Sequence, residues 1–214
     1  MSPAHPIGTA EAVVAGPRGD GRAGVTHAPY DPRPGPRARA PEEWDTHMDT
    51  ETPLEQRVAA IEAREAIVAL KHRYWRACDG KDPEGMRDCF LADGAEIDFG
   101  PMGRFDDVDA LVDVYRRVAL QRHEHGYRIL DMHHGMHPEI EVAASATTAS
   151  GRWTLRFRQI DRKTRTERVG AVEYEDEYQV EDGRWRIARS RARERWAIVR
   201  QLPDSAVIAE QIHG

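Results

Sequence analysis

Two cysteines in 214 residues, Cys78 and Cys89, are too few for a disulfide framework. Both stand in apolar, helical company, so a reducing cytoplasmic setting is expected. Aromatic residues make up 7% of the chain and the net charge is −6. No basic block is interleaved with aromatics, which argues against a nucleic-acid partner. No apolar run approaches the ~18 residues a membrane span needs. Ala12-Val13-Val14-Ala15 is too short and mild for a signal-peptide core. No closely spaced, ligand-type pair of cysteines and no His-Glu-x-x-His spacing is present, so neither a metal nor a cofactor is expected. The sharpest rival is an iron or zinc site from His123, His125, His134 and His137, which supply enough imidazoles without tight ligand spacing.

What is present falls into three segments. Residues 1–50 hold eight of the thirteen prolines, with Gly, Ala and Arg filling much of the rest. Proline removes donors and fixes φ, so a disordered leader is expected there. Residues 51–195 carry periodic apolar patterning. Leu54, Val58, Ile61, Ile67, Leu70, Tyr74 and Cys78 recur at helical spacing and predict a long first helix closed by Asp79. Asp82-Pro83 starts a second, short helix, and Asp106 or Asp107 caps a third. From Ile140 onward the period changes to two. Trp153, Leu155 and Phe157 alternate with arginines, and Tyr174, Asp176 and Tyr178 alternate with glutamates. Trp185, Ile187 and Arg189 follow an Asp182-Gly183 hairpin turn. Helices first and a curled antiparallel sheet after them predict an α+β fold in which the sheet wraps the helices. Residues 196–214 read as an extension beyond the last core strand, covering a pocket or reaching a second subunit.

Asp79, Asp176 and Arg189 fall where the alternation predicts inward side chains. An unpaired buried charge costs several kcal/mol, on the order expected from desolvation alone. Either they line a wet cup, or Arg189 and Asp176 form an internal ion pair. His133 and His134 are neighbours on a strand and face opposite ways, so only one of them enters a cup. An imidazole accepts a proton near neutral pH, and a carboxylate on its other nitrogen fixes the tautomer. No Ser or Cys nucleophile accompanies such a pair, so proton abstraction is favoured over acyl transfer.

Tyr74-x4-Asp79, Phe90-Leu91-Ala92-Asp93-Gly94-Ala95-Glu96, Gly103-Arg104-Phe105-Asp106, Met132-His133-His134-Gly135, Tyr174-Glu175-Asp176-Glu177-Tyr178 and Asp182-Gly183-Arg184-Trp185 resemble, in order and spacing, SnoaL-like proteins of the nuclear transport factor 2-like superfamily. The resemblance runs from Leu54 to Arg195. It implies a cone-shaped barrel of a curved antiparallel sheet on about three helices, enclosing a pocket. It also implies a cofactor-independent lyase, a dehydratase above all, as in bile-acid dehydratase, hexachlorocyclohexane dehydrochlorinase and scytalone dehydratase. His133 would be the base and Asp79 its orienter, with Tyr74 and Arg189 stabilising charge. Ile97, Phe99, Trp153, Leu155, Phe157, Tyr174, Asp176 and Tyr178 would form the wall around a hydrophobic cyclic, steroid-like or polyketide-like substrate. An acidic residue of the bile-acid enzyme falls near Phe157, which speaks against bile acid itself. The alternatives are an isomerase or cyclase, or a binding or interaction protein of the same fold. A homodimer or homotrimer is expected.

Overall fold

The computed structural model describes residues 52–210; the leader expected over residues 1–50 lies outside the described residues. Helix α1 runs Leu54–Asp79, α2 Pro83–Arg87 and α3 Val108–Ala119. The strands are β1 (Glu96–Asp98), β2 (Arg104–Phe105), β3 (Arg122–His123), β4 (Gly126–Tyr127), β5 (Ile129–Val142), β6 (Thr148–Asp161), β7 (Thr166–Glu181) and β8 (Arg184–Gln201). Asp82 caps α2 by accepting from Gly85 N, and Asp107 caps α3 by accepting from Asp109 N, as short acceptor side chains do at helix starts.

Six strands form one curved sheet in the order β2-β1-β8-β7-β6-β5, and β3 and β4 form a separate ribbon. This is the expected α+β arrangement of three helices against a sheet, with two differences. The sheet is mixed rather than antiparallel, because β1 runs parallel to β8. It is also open, with β2 at one edge and β5 at the other. The last strand continues past Arg195 to Gln201, pairing Thr166 with Gln201, so residues 196–201 belong to the sheet rather than to an extension. Beyond it, Arg165 Nη2 donates to the carbonyls of Pro203 and Ala206.

The concave face is filled where α1 crosses it. Ile67, Leu70, Tyr74 and Trp75 of α1 pack with Ile97, Phe99, Trp153, Leu155, Tyr174, Tyr178 and Ile187. The first two turns of α1 overhang the sheet instead: Leu54, Val58 and Ile61 are exposed, although their spacing predicts burial. One charge pair is sealed inside this core. Lys71 Nζ lies 2.7 Å from Asp176 Oδ2, off the line of a good hydrogen bond, and both side chains are 0% exposed. Asp176 also accepts from Tyr178 Oη (2.8 Å) and Ser190 Oγ (2.7 Å), and Lys71 Nζ sits 4.0 Å above the Tyr174 ring. Burial pulls the Lys71 amine below its ordinary pKa, and Asp176 opposes that shift.

Arg189 is not part of this pair. Glu177 is opposite Arg189 but Tyr178 is opposite Ile187, so Ala188 is an extra residue in β8. A one-residue bulge inverts the alternation after it. Ser190 therefore takes the inward position, and Arg189 turns to the convex face, where its Nη2 donates to Glu177. The same face pairs Arg191 with Glu175 and Arg195 with Glu173. Glu173, Glu175 and Glu177 of β7 thus meet arginines of β8, while Arg158 of β6 pairs with Glu167 near the start of β7.

The two ion pairs should behave differently. Lys71→Met leaves a buried carboxylate without its cation and is expected to cost about 3–5 kcal/mol in urea unfolding. Arg189→Gln removes a half-exposed pair and should cost less than about 1 kcal/mol. Equal losses from the two would contradict this assignment of inside and outside.

Candidate functional site

Asp79 is the last residue of α1, where the chain turns over Gly80 and Lys81 into α2. Gly80 keeps a right-handed φ of −78°, and Lys81 takes the left-handed conformation at φ 60°. The turn delivers Asp79 to the free edge of β5. An edge strand carries N–H groups with no strand beside them, and His133 N donates one of these to Asp79 Oδ2 at 3.0 Å. The ring of the same residue meets the other oxygen, with His133 Nδ1 2.5 Å from Asp79 Oδ1. A carboxylate accepts only, so Nδ1 carries the hydrogen and Nε2 of the neutral ring keeps its lone pair. The carboxylate grips the backbone and the side chain of one histidine, which fixes both its place and its tautomer. His133 is 14% exposed and Asp79 28%, so the pair is sheltered yet reachable.

The next inward position on β5 repeats the arrangement with the charges exchanged. Asp131 Oδ2 meets Lys81 Nζ at 2.5 Å, and Asp131 Oδ1 accepts from Gln159 Nε2 at 2.9 Å. The end of α1 and the turn after it thus clamp β5 twice, at positions two residues apart in both segments. Sequence reading missed this second clamp, because an ordinary Lys in a Gly-Lys-Asp turn carries no signal of burial. Tyr115 of α3 closes the helix side. Its hydroxyl donates to Cys78 O at 2.6 Å; burial, then Cys78, Asp131 and Asp79, push its ionisation far above the ordinary range. Burial also pushes the thiols of Cys78 and Cys89 up to about 12 and about 11, so neither forms a thiolate near neutral pH.

Of the expected partners, Phe157 alone stands at the dyad. Its ring centroid is 5.0 Å from that of His133, directly across the β5–β6 ladder. Tyr74 does not. Five positions on a helix separate it from Asp79 by about 140° around the axis, whereas Trp75, four positions away, is only about 40° off. Tyr74 lies edge-on to Phe90 at 5.6 Å in the core, and burial, with Cys78 next, raises its hydroxyl pKa well above the ordinary value. Arg189 is on the convex face. Ile97, Phe99, Trp153, Leu155, Tyr174 and Tyr178 are all buried and fill the cone rather than line an open pocket. Asp176 is occupied by Lys71, Tyr178 and Ser190, so it is not a substrate contact in this arrangement.

Trp75 explains the filling. Its indole lies on Gly135, two residues along β5 from His133, and any Cβ at Gly135 would fall inside the ring. The indole then meets Trp153 edge-on at 5.4 Å. Two clefts of about 380 and 320 Å³ lie elsewhere, one between α2 and α3 and one on the convex face beside Arg189 and Arg191. The histidine cluster is dispersed: His134 is exposed opposite Arg156, and His137 sits at φ 51° in the β5 irregularity. Among the described residues no three His, Cys, Asp or Glu side chains are grouped to hold a metal ion. Among the same residues no helix is long and apolar enough to cross a membrane.

The sequence model of the SnoaL-like domain matches residues 59–191, from within α1 into β8. The chain belongs to the SnoaL-like domain family. Its fold is shared with solved structures of the nuclear transport factor 2-like superfamily. Hexachlorocyclohexane dehydrochlorinase LinA type 2 superposes with a TM-score of 0.60 at 16% identity, over 73% of this chain and 99% of that one. A putative scytalone dehydratase from Novosphingobium aromaticivorans gives 0.57 at 19% identity, over 72% and 99%. A protein of unknown function from Mycobacterium tuberculosis gives 0.52 at 24%, over 68% and 77%. At these identities the likeness shows the fold alone.

Gly135→Ala tests the seating of the indole. Overfilling a packed site costs about 1–3 kcal/mol, so a loss of that size in denaturant unfolding is expected, with a change in Trp fluorescence. A variant as stable as the parent would show that Trp75 does not press on β5.

Proposed function

We propose that this SnoaL-like domain is a cofactor-independent lyase that removes a proton and a leaving group from a hydrophobic cyclic small molecule, with dehydration as the reaction. The observation that supports it is the pair of hydrogen bonds from the backbone and ring of His133 to Asp79, which a passive binding wall does not need.

In this reading His133 Nε2 takes a C–H proton and Asp79 stabilises the imidazolium through Nδ1–H. The electron pair released from carbon forms the new C=C bond as hydroxide leaves. The imidazolium then returns its proton to the departing hydroxide, so water is the second product and the base is regenerated. A positioned base contributes roughly 10²–10⁴-fold. Phe157 offers a face on which a ring can lie. Neither thiol competes as nucleophile, since burial keeps both protonated. The expected cytoplasmic setting and the homodimer or homotrimer belong to the same proposal.

A non-catalytic binding role is the competing reading, and the filled cone favours it, because Trp75 occupies space that a deep pocket would use. Turnover of cyclic β-hydroxy and β-chloro ketones, followed by the absorbance of the enone formed, separates the two. His133→Ala is expected to lose about 10²–10⁴-fold in kcat with unfolding unchanged, and Asp79→Asn to lose activity through the misplaced tautomer. A His133→Ala variant as fast as the parent, or no turnover of any member of the panel, would overturn the lyase reading.

A further inference from the structure

Past the helices the concave face carries two registered rows of side chains. One row runs His133, Phe157, Gly170, Ala197 across β5 to β8, and the next runs Asp131, Gln159, Arg168, Val199. The first row is a ring platform, flat at Gly170. A Cβ there would lie 3.0 Å from Trp196 O and 3.1 Å from Glu194 Oε1, a tight contact with the backbone of β8 that a larger residue would have to relieve. The second row is polar, and its members differ in what they have left to offer. Asp131 is committed to Lys81, and the Gln159 amide to Asp131. Arg168 is held by Glu194 through Nη2 alone; its Nε and Nη1 have no partner among the described residues.

From this we infer that Arg168, braced by Glu194, is the polar end of the substrate site and receives a ring carbonyl oxygen whose hydrocarbon body lies on Phe157 and Gly170 toward His133. This rests on the lyase reading for its chemistry but not for its binding. Strands are ~4.8 Å apart and residues ~3.4 Å apart along a strand, so two strands and two residues separate the Cα atoms of His133 and Arg168 by about 12 Å. Both side chains stand on the same concave face, which leaves between them the span of a fused pair of rings rather than of a short chain. Glu194 balances the guanidinium charge, so the site suits a neutral ketone better than a carboxylate, which Glu194 would repel. With side chains 39% and 36% exposed, Arg168 and Glu194 are open to a ligand, unlike Lys71 and Asp176.

The assignment also supplies the cation that Arg189 does not. As His133 Nε2 removes a C–H proton conjugated to the carbonyl, the electron pair moves onto the carbonyl oxygen. Arg168 Nη1 donates to the enolate so formed. Collapse of the enolate forms the C=C bond and expels hydroxide, which takes the proton back from the imidazolium.

The test compares 2-tetralone with tetralin, which share a ring skeleton and differ in the oxygen. Binding to the full-length protein is measured by ligand-observed NMR titration on the parent, Arg168→Gln, Arg168→Lys and His133→Ala. The parent should prefer the ketone by about tenfold or more, the worth of one hydrogen bond to a charged donor. Arg168→Gln should abolish that preference while binding tetralin as before, Arg168→Lys should keep part of it, and His133→Ala should keep it in full. An unchanged preference in Arg168→Gln, or no saturable binding of 2-tetralone to the parent, would overturn the assignment. Because the readout is binding, an Arg168-dependent preference in a protein that never turns over would retain this site and refute only the lyase reading.

Discussion

Both oxygens of Asp79 are bonded to one residue, and the working end of the molecule follows from that. The carboxylate stands at the C-terminus of α1 and meets the backbone N–H and the ring of His133 on the free edge of β5. The bond to the backbone satisfies an edge donor that would otherwise face solvent. The bond to the ring selects one tautomer. The same contact thus closes α1 onto the sheet and prepares an imidazole for proton transfer, with Lys81 and Asp131 repeating the closure two residues further on.

The cone divides into two regions of different physics. Under α1 it is a filled core. Trp75 on Gly135, the tyrosines around Lys71, and the fully bonded Asp176 leave no room there. Beyond α1 the long strands β6 to β8 project their concave face past the helices, and the side chains become small or polar: Gly170, Ala197, Arg168, Glu194. Chemistry in this fold belongs where the burial cost of charge is low enough for a partly exposed guanidinium to persist, and that is the second region.

Much of this was readable from the residues themselves. The period change from 3.6 to two located the boundary between helices and sheet, and the resemblance to SnoaL-like proteins named Asp79 and His133 as a distant pair before any geometry. The two residues expected to stabilise charge were misplaced for local reasons. Tyr74 shares the apolar stripe of α1 but not the face of Asp79, because five positions do not complete whole helical turns. Arg189 follows a bulge at Ala188, and simple alternation carries no warning of one extra residue. The buried Lys71 looks like any helical lysine in sequence, since its partner Asp176 is more than a hundred residues away. Arg168 was passed over because its alternation looks like that of every other arginine on the strands. Only the register across β5, β6 and β7 puts it on the face that holds His133.

The central claim is that Asp79 holds His133 as a base with a free Nε2. Long-range proton–nitrogen NMR of the imidazole, recorded at a pH where the ring is neutral, reads the tautomer directly. The account requires the hydrogen on Nδ1 in the parent and a shift of that population in Asp79→Asn. A neutral ring protonated at Nε2 in the parent, or a tautomer indifferent to Asp79→Asn, would contradict it.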